Sequence, residues 1–280
     1  MPLFSPHDQY VRVKQHCGEL LSEVRKERPL VHHITNTVTI NDCANITLAA
    51  GAAPVMAGAA EEAVEMAGIA SSLVLNIGTL WPGQVDVMII AGKAANERGI
   101  PVILDPVGVG ATTLRTESAL RILRECNVTI LKGNEGEIGV LAGSGGTVRG
   151  VDSYGCSGDP VDVARRCAEV TGTVVAMTGE IDVVTGDGEV YLIRNGHPMM
   201  DRLSGTGCMA ASLVGAFAAV ASSPSKAAVA ALAAFGRAGE IAAPGAAGPY
   251  SFRTGLFDAL YSLSPEDLRD GTQVEIRRGI

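Results

Sequence analysis

Leu73-Val74-Leu75-Asn76-Ile77, the stretch Gln84–Arg98 stopped by Gly99, and Pro101-Val102-Ile103-Leu104-Asp105 together decide the fold of this 280-residue chain. The two flanking runs are short, rich in Val, Leu and Ile, and apolar at successive positions, the pattern of strands covered on both faces. The stretch between them is long enough for a helix, mixes apolar with charged residues, and meets a natural stop at Gly99. Two buried strands joined by a helix form a parallel βαβ unit with a right-handed crossover.

The same alternation continues in both directions. On the N-terminal side the pattern predicts helices over 8–27, 42–50 and 60–70, and strands at 30–34 and 54–56. On the C-terminal side, helices over 114–126 and 160–171 alternate with strands at 128–131 and 173–177. Residues 182–185 and 189–193 then flank Gly186-Asp187-Gly188 and read as a β-hairpin. Helices over 209–220, 226–242 and 254–263 follow. Residues 143–146 and 155–158 read as flexible surface loops rather than domain boundaries. There is no internal repeat and no long linker. Residues 1–280 are therefore expected to form a single domain: a mostly parallel sheet, helices on both faces, and a hairpin adding an antiparallel edge.

Composition narrows the function classes. Hydrophobic residues make up 47% and aromatics only 4%, which suits close-packed helices over a parallel sheet rather than an aromatic-rich sandwich. The net charge of −8, with no basic cluster, argues against nucleic acid and against an anionic membrane. The six cysteines are scattered without a C-x-x-C pair, so neither a zinc site nor a redox dithiol is expected. No apolar leader stands at residues 1–13 and no run is apolar enough to span a bilayer, so the expectation is a cytoplasmic protein with reduced thiols.

In an open parallel sheet, ligands collect beyond the carboxyl ends of the strands. Those positions here hold Asn76-Ile77-Gly78-Thr79, Asp105-Pro106-Val107-Gly108-Val109-Gly110, Lys132-Gly133-Asn134 and Thr178-Gly179-Glu180. The sharpest segment is Ser204-Gly205-Thr206-Gly207-Cys208, directly ahead of an Ala-rich helix. Glycines there let the backbone approach an anion, with free N–H groups and the helix dipole aimed at it. The same glycines also serve as a plain helix cap, and the Walker Lys is missing. Asn134 and Glu137, three apart, suit either a magnesium site or a capping box. Asp105 before Pro106 is either a carboxylate at the ligand edge or a turn residue. Cys208, at a helix N-terminus, is expected to be more acidic than an ordinary thiol, or else to be a small buried residue. His32 and His33 are adjacent in a strand, so they face opposite sides and at most one lines a site.

Taken in order, these segments resemble the ribokinase-like superfamily, and within it the hydroxyethylthiazole kinase family. The resemblance spans residues 29–263. It rests on His33-Ile34-Thr35-Asn36-Thr37-Val38, Asn41-Asp42-Cys43-Ala44-Asn45, Pro54-Val55-Met56-Ala57 and Asn76-Ile77-Gly78-Thr79-Leu80, and on the Asp105, Gly133 and Ser204 segments. It implies a three-layer α/β/α fold and a homotrimer with sites between subunits. It also implies ATP-dependent phosphorylation of the hydroxyl of 4-methyl-5-(2-hydroxyethyl)thiazole in thiamine biosynthesis or salvage, with Mg2+. By the same resemblance, Cys208 is catalytic and Asn36, Val38, Met56 and Gly205 bind the alcohol. Lys132, Thr178 and Gly207 bind ATP, while Asp105 and Glu137 serve the metal. Two positions depart from the wider superfamily pattern. Cys208 stands where most members carry Asp, and Lys132 where relatives often carry Arg, with its bidentate fork.

Overall fold

The computed structural model describes residues 6–143, 146–149, 152–156 and 158–278. In chain order the first half runs α1 (Pro6–Glu27), β1 (Leu30–Ile34), α2 (Ile40–Ala50), β2 (Ala53–Met56), α3 (Ala60–Ile69), β3 (Ser72–Asn76), α4 (Gln84–Arg98), β4 (Val102–Asp105), α5 (Thr113–Glu125) and β5 (Ile130–Asn134). Then follow α6 (Glu135–Leu141), β6 (Gly146–Arg149), β7 (Asp152–Cys156), α7 (Pro160–Thr171), β8 (Val174–Thr178), β9 (Asp182–Gly186) and β10 (Glu189–Ile193). The remainder is α8 (Thr206–Ala218), α9 (Pro224–Ala242), α10 (Pro249–Ser262), α11 (Pro265–Gly271) and β11 (Val274–Arg278).

A nine-stranded sheet in the order β11-β10-β9-β8-β5-β4-β3-β1-β2 forms the middle layer. From β2 to β8 the neighbours are parallel, and β8 through β11 are antiparallel. Alternation along each strand splits the core in two. Val74, Ile103 and Ile130 pack with α1, α8 and α9 on one face. Leu73, Leu75, Leu104 and Leu131 pack with α4, α5, α6 and α7 on the other. Burial on both sides is why these strands read as unbroken apolar runs.

The chain leaves β1 outward to β2 and returns to β3 on the opposite side, so the crevice between β1 and β3 is the switch point of the sheet. Asn76, Asp105, Asn134 and Thr178 end four parallel strands on that carboxyl edge. The long helix α8 packs across β1, β3, β4 and β5 and starts with the glycine segment.

The hairpin forms as expected, with Asp187 and Gly188 both at positive φ in a two-residue turn that matches strand twist. It is not the outermost element, because β11 pairs antiparallel with β10 and caps that side. Charged residues alternating along residues 274–278 hid this strand in the sequence: one face is wet. The loop reading of 143–146 and 155–158 is corrected in part. Gly146 opens β6, residues 155 and 156 belong to β7, and these two strands pair as a separate ribbon. Ser144, Gly145 and Ser157 lie outside the described residues. Among the described residues, no helix is long and apolar enough to cross a membrane.

Candidate active site

The site begins with two asparagine amides. Asn36 follows β1, and its Oδ1 accepts the backbone N–H groups of Val38 and Thr39 at 3.1 and 3.0 Å and the Thr39 hydroxyl at 3.1 Å. Its Nδ2 donates to Asn76 Oδ1 at 3.0 Å and to Cys208 Sγ at 3.3 Å. Asn76, ending β3, accepts the Gly78 N–H at 2.9 Å and donates through Nδ2 to Asp105 Oδ2 at 2.7 Å and to Cys208 Sγ at 3.2 Å. Asn36, Asn76, Asp105 and Cys208 are all buried. A polar cluster this deep persists only because its partners are in place.

Next along the sheet edge, Glu137 completes a capping box on α6. It accepts the Asn134 N–H at 2.8 Å, while Asn134 Oδ1 accepts the Glu137 N–H at 2.9 Å. Its other oxygen, Oε1, accepts the Gly108 N–H at 2.7 Å. Of the two sequence alternatives for Glu137 the capping box is therefore present, formed by a residue at the edge where the parallel strands end. Arg115, from α5, ties the two preceding loops together by donating to the carbonyls of Ile77, Gly78 and Val107. Thr178 ends β8 opposite Asn134, and its hydroxyl donates to Gly133 O at 3.3 Å.

Electrostatics at the site are set by burial. Desolvation pushes the Asp105 carboxyl from 3.8 up to about 7, against the pull of Lys132 and with the push of Glu137. Glu137 is also raised by burial, opposed by Lys132 and by the N–H groups of Gly108 and Asn134. Burial on its own would lower Lys132, but Asp105, Glu137, Cys208 and Asp182 outweigh it and hold the ammonium charged. Asp182 is raised to about 7 by burial. Of the two readings of Cys208, the acidic thiol is overturned and the small buried residue holds. Burial, then the charge of Asp105, makes it a weaker acid than an ordinary thiol, against the opposing pull of Thr39, Lys132 and Asn76.

The glycine segment closes over this cluster. Gly205 has φ +91°, and a Cβ there would lie 2.3 Å from Thr39 Cγ2. Only glycine can take that conformation and let the turn press on the Asn36 loop. A Cβ on Gly207 would lie 3.0 Å from Lys132 Nζ, so the ammonium stands directly beneath the first turn of α8. The opening N–H groups of a helix have no intrahelical acceptors, and with Lys132 beside them they make a place for an anion.

The structure therefore brings Asn36, Asp105, Lys132, Glu137, Gly205, Gly207 and Cys208 together, with Thr178 at the adjoining strand end. Val38 joins this group through its backbone N–H, bonded to Asn36 Oδ1, while its side chain and that of Met56 take no part in the bonds described. The Val38 side chain is 68% exposed, and Met56 is half-buried on the edge strand β2, opposite His33. His33 turns toward Ser212 of α8 and His32 toward Ala57, opposite sides of the strand. Sequence reasoning gave no role to Asn76, Thr39 or Arg115. Asn76 carried the same signal as Asp105, a polar residue ending an apolar strand. Arg115 carried none, being one charge on an amphipathic helix.

The open α/β/α sheet thus sets a glycine turn at a helix start beside carboxylates on neighbouring strand ends. A ribokinase-like superfamily protein from Enterococcus faecalis shares this fold, with a TM-score of 0.63 at 13% identity, covering 89% of this chain and 95% of that one. Residues 21–266 match the model of the hydroxyethylthiazole kinase family, and the chain belongs to that family. A hydroxyethylthiazole kinase from Methanoculleus marisnigri is 64% identical over 258 residues, 92% of each chain. The solved structure of a hydroxyethylthiazole kinase protein from Pyrococcus horikoshii OT3 is 42% identical, with a TM-score of 0.85, covering 94% of this chain and 99% of that one.

Proposed function

We propose that this chain transfers the γ-phosphoryl group of ATP to the primary hydroxyl of 4-methyl-5-(2-hydroxyethyl)thiazole, giving the monophosphate and ADP, in thiamine biosynthesis or salvage. The observation that carries the reading is Cys208 at the foot of the anion turn. It is bonded to Asn36 and Asn76 and lies beside Asp105. An alcohol seated over this sulfur meets a proton acceptor on one side and a phosphate cradle on the other.

In the transfer, the hydroxyl oxygen forms a bond to Pγ while the bond from Pγ to the bridging oxygen breaks and ADP leaves. Cys208 takes the hydroxyl proton as its own passes to the Asp105 carboxylate. Two asparagine N–H groups hold the sulfur and stabilise the charge that develops on it. Lys132 and the first-turn N–H groups of α8 stabilise the phosphoryl group in flight, and Thr178 and Gly207 shape the nucleotide side. Asn36 acts on the alcohol through its hold on Cys208, with Gly205 pressing the loop into place.

Mg2+ suits the donor set. This ion takes one or two carboxylates and completes its shell with phosphate oxygens and water. Glu137 would hold the ion, and Asp105, the acceptor of the thiol proton, would serve it from beside; both are buried and pushed toward their protonated forms, so a dication nearby would stabilise their charge. The ion would supply charge neutralisation on the phosphates. We place the reaction in the cytoplasm, in a single catalytic domain. Cys17, Cys43, Cys126, Cys167 and Cys208 are free thiols, and a reducing compartment would keep them so.

The experiment is a panel of small alcohols with ATP and Mg2+: the thiazole alcohol, a hydroxymethylpyrimidine and pyridoxal. The thiazole alcohol should give the highest kcat/KM by at least about tenfold, a difference of about 1.4 kcal/mol in transition-state binding. A hydroxymethylpyrimidine or pyridoxal optimum would reassign the acceptor. Binding without turnover of any alcohol would make the chain a ligand-binding relative.

A further inference from the structure

Asn76 uses every hydrogen-bonding valence of its amide on groups at the site. The backbone N–H of Gly78 can only donate, so the atom it meets must be the amide oxygen. That fixes Nδ2 toward Asp105 and Cys208. The Asn36 amide is fixed in the same way by the N–H groups of Val38 and Thr39, which directs its Nδ2 to Asn76 Oδ1 and to the sulfur. The sulfur therefore faces two N–H donors, and its own proton must point away from both. One of those donors is shared with the carboxylate at 2.7 Å. Asn76 itself is 1% exposed and ends β3 beside the switch-point crevice, so its side chain is held by packing as well as by bonds.

We propose that Asn76 is a positioning residue for the transfer. By bridging Asp105 to Cys208 it fixes the sulfur against the carboxylate: both thiol lone pairs are held by amide N–H groups, and the thiol proton, with the lone pair it leaves behind, is turned to the side where Asp105 and the acceptor hydroxyl meet. Asn76 donates to both groups from a single amide nitrogen, at 2.7 and 3.2 Å. The proposal rests on the reading of Cys208 and Asp105 given above. It adds that their mutual orientation is imposed from β3 and does not come from the glycine turn alone.

Asn76→Ala and Asn76→Ser should each lower kcat by about a hundredfold, the scale of an ångström's misplacement of a reacting group, with KM for ATP within about twofold of wild type. Loss of positioning should be non-additive with loss of the group positioned. In a Cys208→Ala background the same substitutions should lower kcat much less than in wild type. Crystal structures of both variants should show the Cys208 side chain in a new rotamer or the Asp105 carboxylate rotated. Full additivity with Cys208→Ala, or parallel changes in kcat, KM and melting temperature, would reduce Asn76 to a structural residue and overturn the proposal. So would Cys208 and Asp105 superposing on wild type with kcat unchanged. The Ser variant, closer in polarity, keeps the test open if Ala fails to fold. If wild type does not phosphorylate the thiazole alcohol while the variants still displace Cys208 or Asp105, the functional reading falls and the positioning role stands.

Discussion

Burial and the Asp105 carboxylate both weaken Cys208 as an acid, so the sulfur loses its proton only when a partner takes it. Cys208→Ala should therefore cut kcat by about 10²- to 10⁴-fold, the range of positioned proton transfer, with little change in melting temperature. Cys208→Asp should retain turnover, because a carboxylate takes the proton without a relay. Steady-state kinetics with thermal melts checks both. Asp105 sets a second expectation. Its native carboxyl holds a proton up to about pH 7, whereas an unfolded aspartate releases it near 3.8. The native state thus binds more protons across that window, and stability falls as pH rises through it, opposite to a salt-bridged carboxylate. Asp105→Asn should lessen this fall, the remainder coming from Asp182 and Glu137, which burial also raises, measured as melting temperature between pH 4 and pH 8. A variant that melts with the same pH slope as wild type would remove Asp105 as its source. At this scale the sequence exposed the residues that end strands, Asp105 and Asn76. It did not expose which neighbours they would meet, because the contacts of Asn76 come from positions 36, 78, 105 and 208. The two readings of Cys208, acidic thiol or small buried residue, stayed open in the sequence for the same reason. A helix terminus is visible locally, but burial is not.

Elements place these groups. α8 can begin over the strand ends only because Gly205 takes a left-handed conformation and leaves room for Thr39. Gly205→Ala adds backbone strain of about 1–3 kcal/mol and a clash that must push Thr39 or the helix away. A lower melting temperature and a loss of kcat should appear together, since Thr39 is bonded to Asn36. Unchanged kinetics in a stable Gly205→Ala protein would show that the turn is only a cap. Most elements were legible because strands buried on both faces and Ala-rich helices leave strong patterns. Those that escaped were short or half-wet. α11 spans only Pro265–Gly271, and β6 and β7 lie off the main sheet.

At the scale of the whole molecule, β2 leaves one sheet edge open, and Val38, Leu48 and Val64 near it are exposed apolar side chains. We propose a homotrimer in which a neighbouring copy covers this side and completes the acceptor site near Met56. Light scattering should give three times the 28.8 kDa chain mass. A monomer that turns over at full rate would refute a shared site. No pattern in the sequence separates an interface residue from a core residue, so the expectation of a trimer comes from resemblance alone. The fold and chemistry converge on one product. Incubating the purified protein with ATP, Mg2+ and 4-methyl-5-(2-hydroxyethyl)thiazole, and following phosphorus by NMR, should show a new phosphate monoester on the thiazole alcohol appearing in step with ADP. ADP and inorganic phosphate alone, or no change at all from a folded protein, would contradict it.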